Sequence, residues 1–339
     1  MLLGKAKMLN NKTILITGGT GSFGQKFAQR ILSEYNPKKI IIYSRDEYKQ
    51  YVMRSKFKDY DDKLRFFIGD VRDKDRLYRA LTDVDVVIHS AALKHVTVAE
   101  YNPIEAIKTN INGAMNIIDA AIDCGVEKVV ALSTDKAVGP VNLYGATKLV
   151  SDKLFVAGNA YAGGKNTTFS VVRYGNVTGS RGSIVPFFNS LINDGIKELP
   201  ITDTRMTRFW ITLDQGVDLV FKAIKEAKGG EIYVSKIPSY KVTDLARAML
   251  PEAELKEIGI REGEKLHEVM ITEEDSRLTY DYDDHYIIYP HFDWWDTSKH
   301  FKSGGVKVPD GFRYASDNNA EWLSEEKMRE RLKSIEVVY

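Results

Sequence analysis

Cysteine occurs once in the 339 residues, at Cys124. A single thiol excludes an intrachain disulfide, and a reducing compartment, the cytoplasm, is the expected location. Net charge is also lacking: 48 lysines and arginines face 47 aspartates and glutamates. Without a basic field, nucleic acid is not an expected partner. No apolar run has the length of a membrane span, so no membrane partner is expected. The first residues, M-L-L-G-K-A-K-M-L-N-N-K, lack the long apolar centre of a signal peptide. The six histidines are scattered, with no H-E-x-x-H or C-x-x-C spacing, so no metal site is expected. Internal repeats, low-complexity tracts and long linkers are absent as well.

What is present is an alternation of short apolar runs and amphipathic segments. The runs Thr13–Thr17, Lys39–Tyr43, Leu64–Ile68, Val84–Ile88, Val129–Leu132 and Phe169–Arg173 read as strands. This rhythm predicts an α/β fold, a doubly wound parallel sheet covered on both faces, with ligands at the carboxyl ends of the strands. The first run enters Gly18-Gly19-Thr20-Gly21-Ser22-Phe23-Gly24 and then a segment with Phe23, Phe27, Ile31 and Leu32 on one face. Strand, glycine turn and helix form the setting for a dinucleotide pyrophosphate, here with G-x-x-G-x-x-G spacing. The second run ends in Ser44-Arg45-Asp46-Glu47, with Lys49 close behind. Ser44 and Arg45 favour a 2′-phosphate and hence NADP, while Asp46 is the residue that could bond a free ribose hydroxyl of NAD. Asp70, followed by Val71, either reaches the adenine edge or caps the next helix. Ser90, Ala91 and Lys94 form a small-residue loop against which a flat ligand can lie, Lys94 facing ribose or substrate. From Pro103, the residues Ile104, Ile107, Ile111, Met115, Ile118 and Ile122 recur at helical spacing and are expected in the core.

The stretch Leu132–Lys148 carries the chemistry. Ser133, Thr134, Asp135 and Lys136 sit at a strand end, and Tyr144 and Lys148 are one helical turn apart. An ammonium beside a phenol favours the phenolate, making Tyr144 a candidate acid/base group. After residue 176 the rhythm breaks. A helix begins near Pro186, another spans Asp214–Ala227, and a strand Glu231–Val234 returns to the sheet. Thr243 is placed to cap a helix through Leu250, and a closing helix is expected over Ala320–Lys333. Residues 1–175, with 209–236 returning, are expected to form the NADP-binding domain; 176–208 and 237–339 form a smaller substrate domain. Val177 follows the sixth strand on the cofactor side. Arg181, Arg208 and Arg261 are candidate diphosphate ligands, because the guanidinium fork matches oxyanions.

The motifs I-L-I-T-G-G-T-G-S-F-G, I-Y-S-R-D-E, F-F-I-G-D-V-R-D, A-A-L-K-H-V, L-S-T-D-K-A, N-L-Y-G-A-T-K, R-Y-G-N-V, G-S-R-G-S, M-T-R-F-W-I-T-L and R-E-G-E-K-L-H-E span nearly the whole chain. Together they resemble the extended short-chain dehydrogenase/reductases, and within these the inverting UDP-N-acetylglucosamine 4,6-dehydratases that open pseudaminic acid biosynthesis. The T-D-K triplet is the most telling, since retaining dehydratases carry T-D-E there and epimerases need no such acid–base pair. The resemblance implies UDP-N-acetylglucosamine as substrate, recycled NADP and a homo-oligomer. It implies oxidation at C4 by Tyr144 with Lys148 and Thr134, proton removal at C5 by Lys136 with a lowered pKa, and protonation of the C6 hydroxyl by a neutral Asp135. The product implied is a UDP-4-keto-6-deoxy sugar of L-arabino configuration bearing the 2-acetamido group. Asn176, Arg181, Thr207, Arg208, Arg261, Glu264 and Lys94 are the implied substrate contacts. The alternatives are a UDP-sugar 4-epimerase, a retaining 4,6-dehydratase and an idle NADP-binding sensor or scaffold. Exchanging Ser44 and Arg45 for acidic residues is expected to weaken NADP relative to NAD in a binding titration; an unchanged preference would make Arg45 a plain surface charge.

Overall fold

A computed structural model of the chain describes residues 8–179, 183–292, 295 and 301–335. Arg181 lies outside them.

Three apolar residues between two threonines, Thr13–Thr17, form a fully buried first strand, β1. It pairs in parallel with β2 (Lys39–Ser44), which pairs with β3 (Leu64–Ile68). On its other side β1 meets β4 (Val86–His89), followed by β5 (Lys128–Thr134) and β6 (Thr168–Tyr174). The strand Ile232–Ser235 joins β6 in parallel, so the chain does return to the sheet after residue 209. Strand Val84–Ile88 was expected two residues early; Val84 is buried but lies before the ladder. Strands Thr279–Asp281, His285–Ile288 and Val306–Lys307 extend this edge antiparallel, making a ten-stranded sheet. Sequence periodicity did not mark these late strands, which are short and rich in tyrosine.

Helices cover both faces because every central strand is apolar on both sides. The helix Ser22–Glu34 buries Gly24, Phe27, Ala28 and Ile31. The helix Leu213–Glu226 begins with a capping box between Thr212 and Gln215, and packs on the first helix through Phe27 and Phe221. Its last carbonyls receive the Lys128 ammonium, at 2.6 Å from Ile224 O and 3.1 Å from Ala227 O, a favourable place for a cation. A second hydrophobic cluster, around Val185, Phe188, Trp210, Leu245 and Met328, lies beyond the sheet.

Three local expectations are corrected. The segment from Pro103 is two helices, Pro103–Ile107 and Gly113–Cys124, joined by a π turn. Ile104, Ile107 and Met115 are exposed, and Ile118 alone of the six expected core residues is fully buried. The inward face is instead built from Ala106, Gly113, Ala114, Ile117 and Ala121. Small residues allow the close approach, since a Cβ on Gly113 would stand 2.8 Å from Val71. Thr243 lies inside the helix Val242–Met249, whose N-cap is Lys241, and bonds Asp244. The closing helix is Glu325–Lys333, capped by Ser324.

At the carboxyl end of β4, His89 is fully buried against Phe155. The Thr17 hydroxyl accepts from the Ser90 and Ala91 amides, so its own proton goes to His89 Nδ1, 2.9 Å away. Burial, aided by the charge of Lys148, holds the imidazole down at about 3. Between that value and the ordinary 6.5, the unfolded chain binds a proton that the native one refuses, so stability falls as pH drops through this window. Removing the group by His89→Asn is expected to flatten the unfolding free energy by up to about 1.4 kcal/mol per pH unit in this acid range. Urea titrations at several pH values read this directly; an unchanged slope would place the acid sensitivity elsewhere.

Candidate active site

The glycine turn meets the demands of a dinucleotide. Gly18 has φ +63°, and a Cβ there would lie 3.0 Å from the Ala91 backbone, so β1 and β4 can diverge at this point only around a glycine. Gly21 caps the 13-residue helix Ser22–Glu34 without a side chain, leaving its first amides to an anion. These residues fit a pyrophosphate. Not every neighbour proposed for the cofactor faces it. Phe23 stacks on Phe27 inside the helix face, and Thr20 is buried with its carbonyl receiving Gln25. Val71 is core, packed against Gly113.

At the end of β2 the assignments also shift. Ser44 is buried and its hydroxyl accepts from Gln50. Asp46 caps the helix Glu47–Lys56 through the Lys49 amide at 2.9 Å and pairs with the Lys49 ammonium, so its carboxylate is already engaged. Arg45 remains exposed, 3.8 Å from Asp70. Asp70 does not cap the next helix. It folds back on Arg72 with three hydrogen bonds, and Asp73 supplies the cap.

The chemistry-bearing residues converge where β5 ends. Thr134 holds the turn Asp135–Ala137 by accepting from the Lys136 amide and donates 2.9 Å to Asp135 Oδ1. Asn142 caps the helix Leu143–Tyr161. Gly145 brings that helix onto the turn, since a Cβ would stand 2.2 Å from Lys136 O. Tyr144, Lys148 and Asp135 are all buried. The Lys136 ammonium donates to Asn176 Oδ1 at 2.7 Å and Asp135 Oδ1 at 3.1 Å, and lies 3.3 Å from Glu268 Oε1. Three acceptors match its three protons.

This arrangement reverses two expectations. Lys136 was expected to have a lowered pKa. Burial does act to lower it, but the carboxylates of Asp135 and Glu268 prevail and raise it. Tyr144 was expected to be lowered by Lys148. Burial instead pushes it up to about 12, against the downward pull of Lys136 and of hydrogen bonding with Thr134. Lys148 donates to Leu132 O at 2.7 Å, and burial lowers its pKa against the pull of Asp152. The Asp135 carboxyl is raised by burial. Glu268 is the ionised partner: burial would raise it, but Lys136, Arg208 and Lys265 hold it below its ordinary value.

Several implied substrate contacts also bond within the protein. The Thr207 hydroxyl lies between His267 Nδ1 and Ser316 Oγ and is buried. Arg208 spends its guanidinium on the carbonyls of Thr207, Lys265 and Leu266 and sits 3.7 Å from Glu268. Arg261 and Lys94 are exposed on loops, and Asn176 is exposed beside Lys136. Glu264 Oε2 is buried without a hydrogen-bond partner. Val177 bridges to Ile211. Residues that sequence reading passed over are Glu268, Asn110 and Asp152. Asn110, in the π turn, pins the loop at Leu93 and bonds Thr147. Asp152, one turn beyond Lys148, accepts from Ser133 at 2.6 Å. Only its helical spacing from Lys148 could have signalled it.

Glycine turn, crossover sheet and buried Tyr–Lys pair at the strand ends define a dinucleotide-dependent Rossmann-type enzyme. The chain belongs to the polysaccharide biosynthesis protein family, which matches residues 14–290. It is 58% identical to a Campylobacter jejuni protein named UDP-N-acetylglucosamine 4,6-dehydratase (inverting), over 97% of this chain and 99% of that one. It is 40% identical to the UDP-glucose 4-epimerase of Rickettsia canadensis, over 98% of both. Among solved structures it superposes on Pen from Bacillus thuringiensis with TM-score 0.88 and 37% identity, covering 97% of this chain and 99% of that one.

The charge cluster is open to direct titration. The Lys136 side-chain carbon resonance is expected to stay in its charged position through neutral pH, and Asp135→Asn to move its titration toward lower pH. Wild-type titration below the ordinary lysine value would mean that burial outweighs the two carboxylates.

Proposed function

We propose that the chain dehydrates UDP-N-acetylglucosamine across C4, C5 and C6 with inversion at C5, using NADP, as the first step of a pseudaminic acid-type pathway. The observation that carries this is the Asp135–Lys136 pair, 3.1 Å apart at the end of β5 beside Tyr144. A 4-epimerase moves one hydride and has no use for a second acid and base.

A nicotinamide cofactor held at the glycine turn by Gly18, Gly21 and Gly24 would supply a hydride acceptor for C4 and a hydride donor for C6. The C4 hydroxyl proton passes to the Tyr144 oxygen, with Thr134 and Lys136 favouring the phenolate. A C4 ketone makes C5–H acidic, because the carbanion left behind is an enolate. Lys136, after passing a proton to Asp135 across their 3.1 Å contact, takes the C5 proton. Asp135, whose carboxyl is raised by burial, gives its own to the departing C6 oxygen. Lys148, tied to Leu132 O, keeps the helix end and strand end in register. Arg45, exposed at the end of β2, is the residue that would meet a 2′-phosphate. Asn176, Lys94, Arg261 and Arg181 are the residues proposed to receive the sugar diphosphate. The enzyme works in the cytoplasm as a homo-oligomer; exposed Val98, Tyr101, Ile104, Ile107 and Met115 on successive helices supply apolar surface for a second copy.

Incubation with UDP-N-acetylglucosamine in deuterated buffer, read by NMR, is expected to give a 4-keto-6-deoxy product with L-arabino configuration and deuterium at C5. The intact C4 epimer would identify an epimerase, and no conversion a binding protein. Lys136→Ala is expected to abolish water loss while NADP stays bound. Turnover above about a hundredth of wild type would remove Lys136 as the base.

A further inference from the structure

Glu268 is absent from every role above, yet it is the most buried carboxylate facing Lys136 from outside its own turn. Only 2% of the residue is exposed. Its amide donates to Ser316 Oγ at 2.9 Å, and its carbonyl receives the Ser316 amide at 2.8 Å. Ser316 Oγ is in turn tied to Thr207. Glu268 is thus held by the Ser316 segment, itself tied to Thr207, and presented to a lysine on β5's exit, 3.3 Å from its Nζ. Its other oxygen, Oε2, is buried with no hydrogen-bond partner. A carboxylate buried in this way is costly unless it serves a cation.

We infer that Glu268 is the positioning residue for the base: it aims the Lys136 nitrogen and stabilises the ammonium that forms when Lys136 removes the C5 proton. The logic is that of any base oriented by a third group. This inference rests on the dehydratase reading. In the step concerned, the C5–H bond breaks, its proton goes to Lys136 Nζ and the electron pair stays on C5 as the enolate of the C4 ketone. The C6–O bond then breaks, the Asp135 proton goes to the leaving oxygen, and water departs. Lys136 ends as ammonium and Asp135 as carboxylate, and the proton returns between them across their 3.1 Å contact. Glu268 remains ionised throughout and faces the cation at its most charged point.

The groups around the Lys136 nitrogen are Asp135 on its own turn, Asn176 after β6, Tyr144 on the helix Leu143–Tyr161, Arg208 on the strand Thr207–Phe209, Tyr240 on the strand Ser239–Lys241, and Lys265 with Glu268 on the segment before Val269. Two of these are cations. Without the Glu268 charge, Lys136 is left with one carboxyl against Arg208 and Lys265, and its hold on a proton weakens.

The test is the pH dependence of turnover for wild type, Glu268→Gln and Glu268→Asp, with deuterium entry at C5 and first-turnover reduction of bound nicotinamide measured alongside. Glu268→Gln is expected to lower the alkaline plateau of kcat at least tenfold, to shift the pH at which that plateau is reached toward acid, and to slow C5 exchange in parallel. Nicotinamide reduction, in which Lys136 accepts no proton, is expected to slow far less than C5 exchange, and KM to stay within about twofold. Glu268→Asp, which keeps the charge, is expected to restore most of the wild-type midpoint. A midpoint unchanged in Glu268→Gln, or loss of nicotinamide reduction together with C5 exchange, would overturn the inference and leave Glu268 a structural residue. If wild type itself forms no dehydrated product, the reading of the reaction fails and not the role of Glu268 within it.

Discussion

Charge taken out of water at the end of β5 sets the terms for the rest of the molecule. Lys136 is largely buried beside a fully buried aspartate and an almost fully buried glutamate. Removing one partner from such a group leaves an uncompensated charge and costs about 3–5 kcal/mol. The partners come from both ends of the chain, so the cluster forms only when the C-terminal segments have docked on the sheet. Arg208 contributes to this docking by closing on three backbone carbonyls and by standing beside Glu268. The catalytic turn and the C-terminal half are thereby held to one another by the same interaction that prepares the chemistry.

A second buried polar system lies one strand further along the sheet. Thr17, His89, Ser90 and Ala91 tie the exits of β1 and β4 together, and Asn110 holds the following loop at Leu93. Glycine at position 18 keeps the gap between these exits open. The crevice at this topological switch point is thus held open by a satisfied network rather than by bulk. Behind the Tyr–Lys pair, Asp152 accepts from Ser133 and lies 3.6 Å from Arg173, whose guanidinium reaches Met270 O. Both ends of the helix Leu143–Tyr161 that matter to the site are therefore fixed, its first turn by Asn142 and Gly145 and its third by Asp152.

The fold was largely legible because its determinants are local. Apolar runs of strand length, a glycine turn and helical capping residues can be read along the chain. The segment after Pro103 misled for an instructive reason: isoleucines carry the periodic signal, but alanines and glycine make the close contact. The late strands, Thr279–Asp281 and His285–Ile288, were missed because three- and four-residue ladders have no period to detect. At the site, Thr134, Asp135, Lys136, Tyr144 and Lys148 stand out in the sequence because they crowd into fifteen residues, and the fold gathers them where β5 ends. An arginine read alone looks free, and nothing in the sequence neighbours of Arg208 reveals the carbonyls that come from residues 265 and 266.

By itself, then, the sequence determined the alternating architecture, the dinucleotide turn and the residue types of the reacting turn, all of which depend on neighbours within one element. Only the tertiary structure decided how those residues are charged. Lys136 reads as a lysine awaiting deprotonation until Glu268 is brought 3.3 Å from it across 132 residues of chain. Electrostatic energy depends on distance through space and on exclusion of water, and neither is a property of sequence spacing.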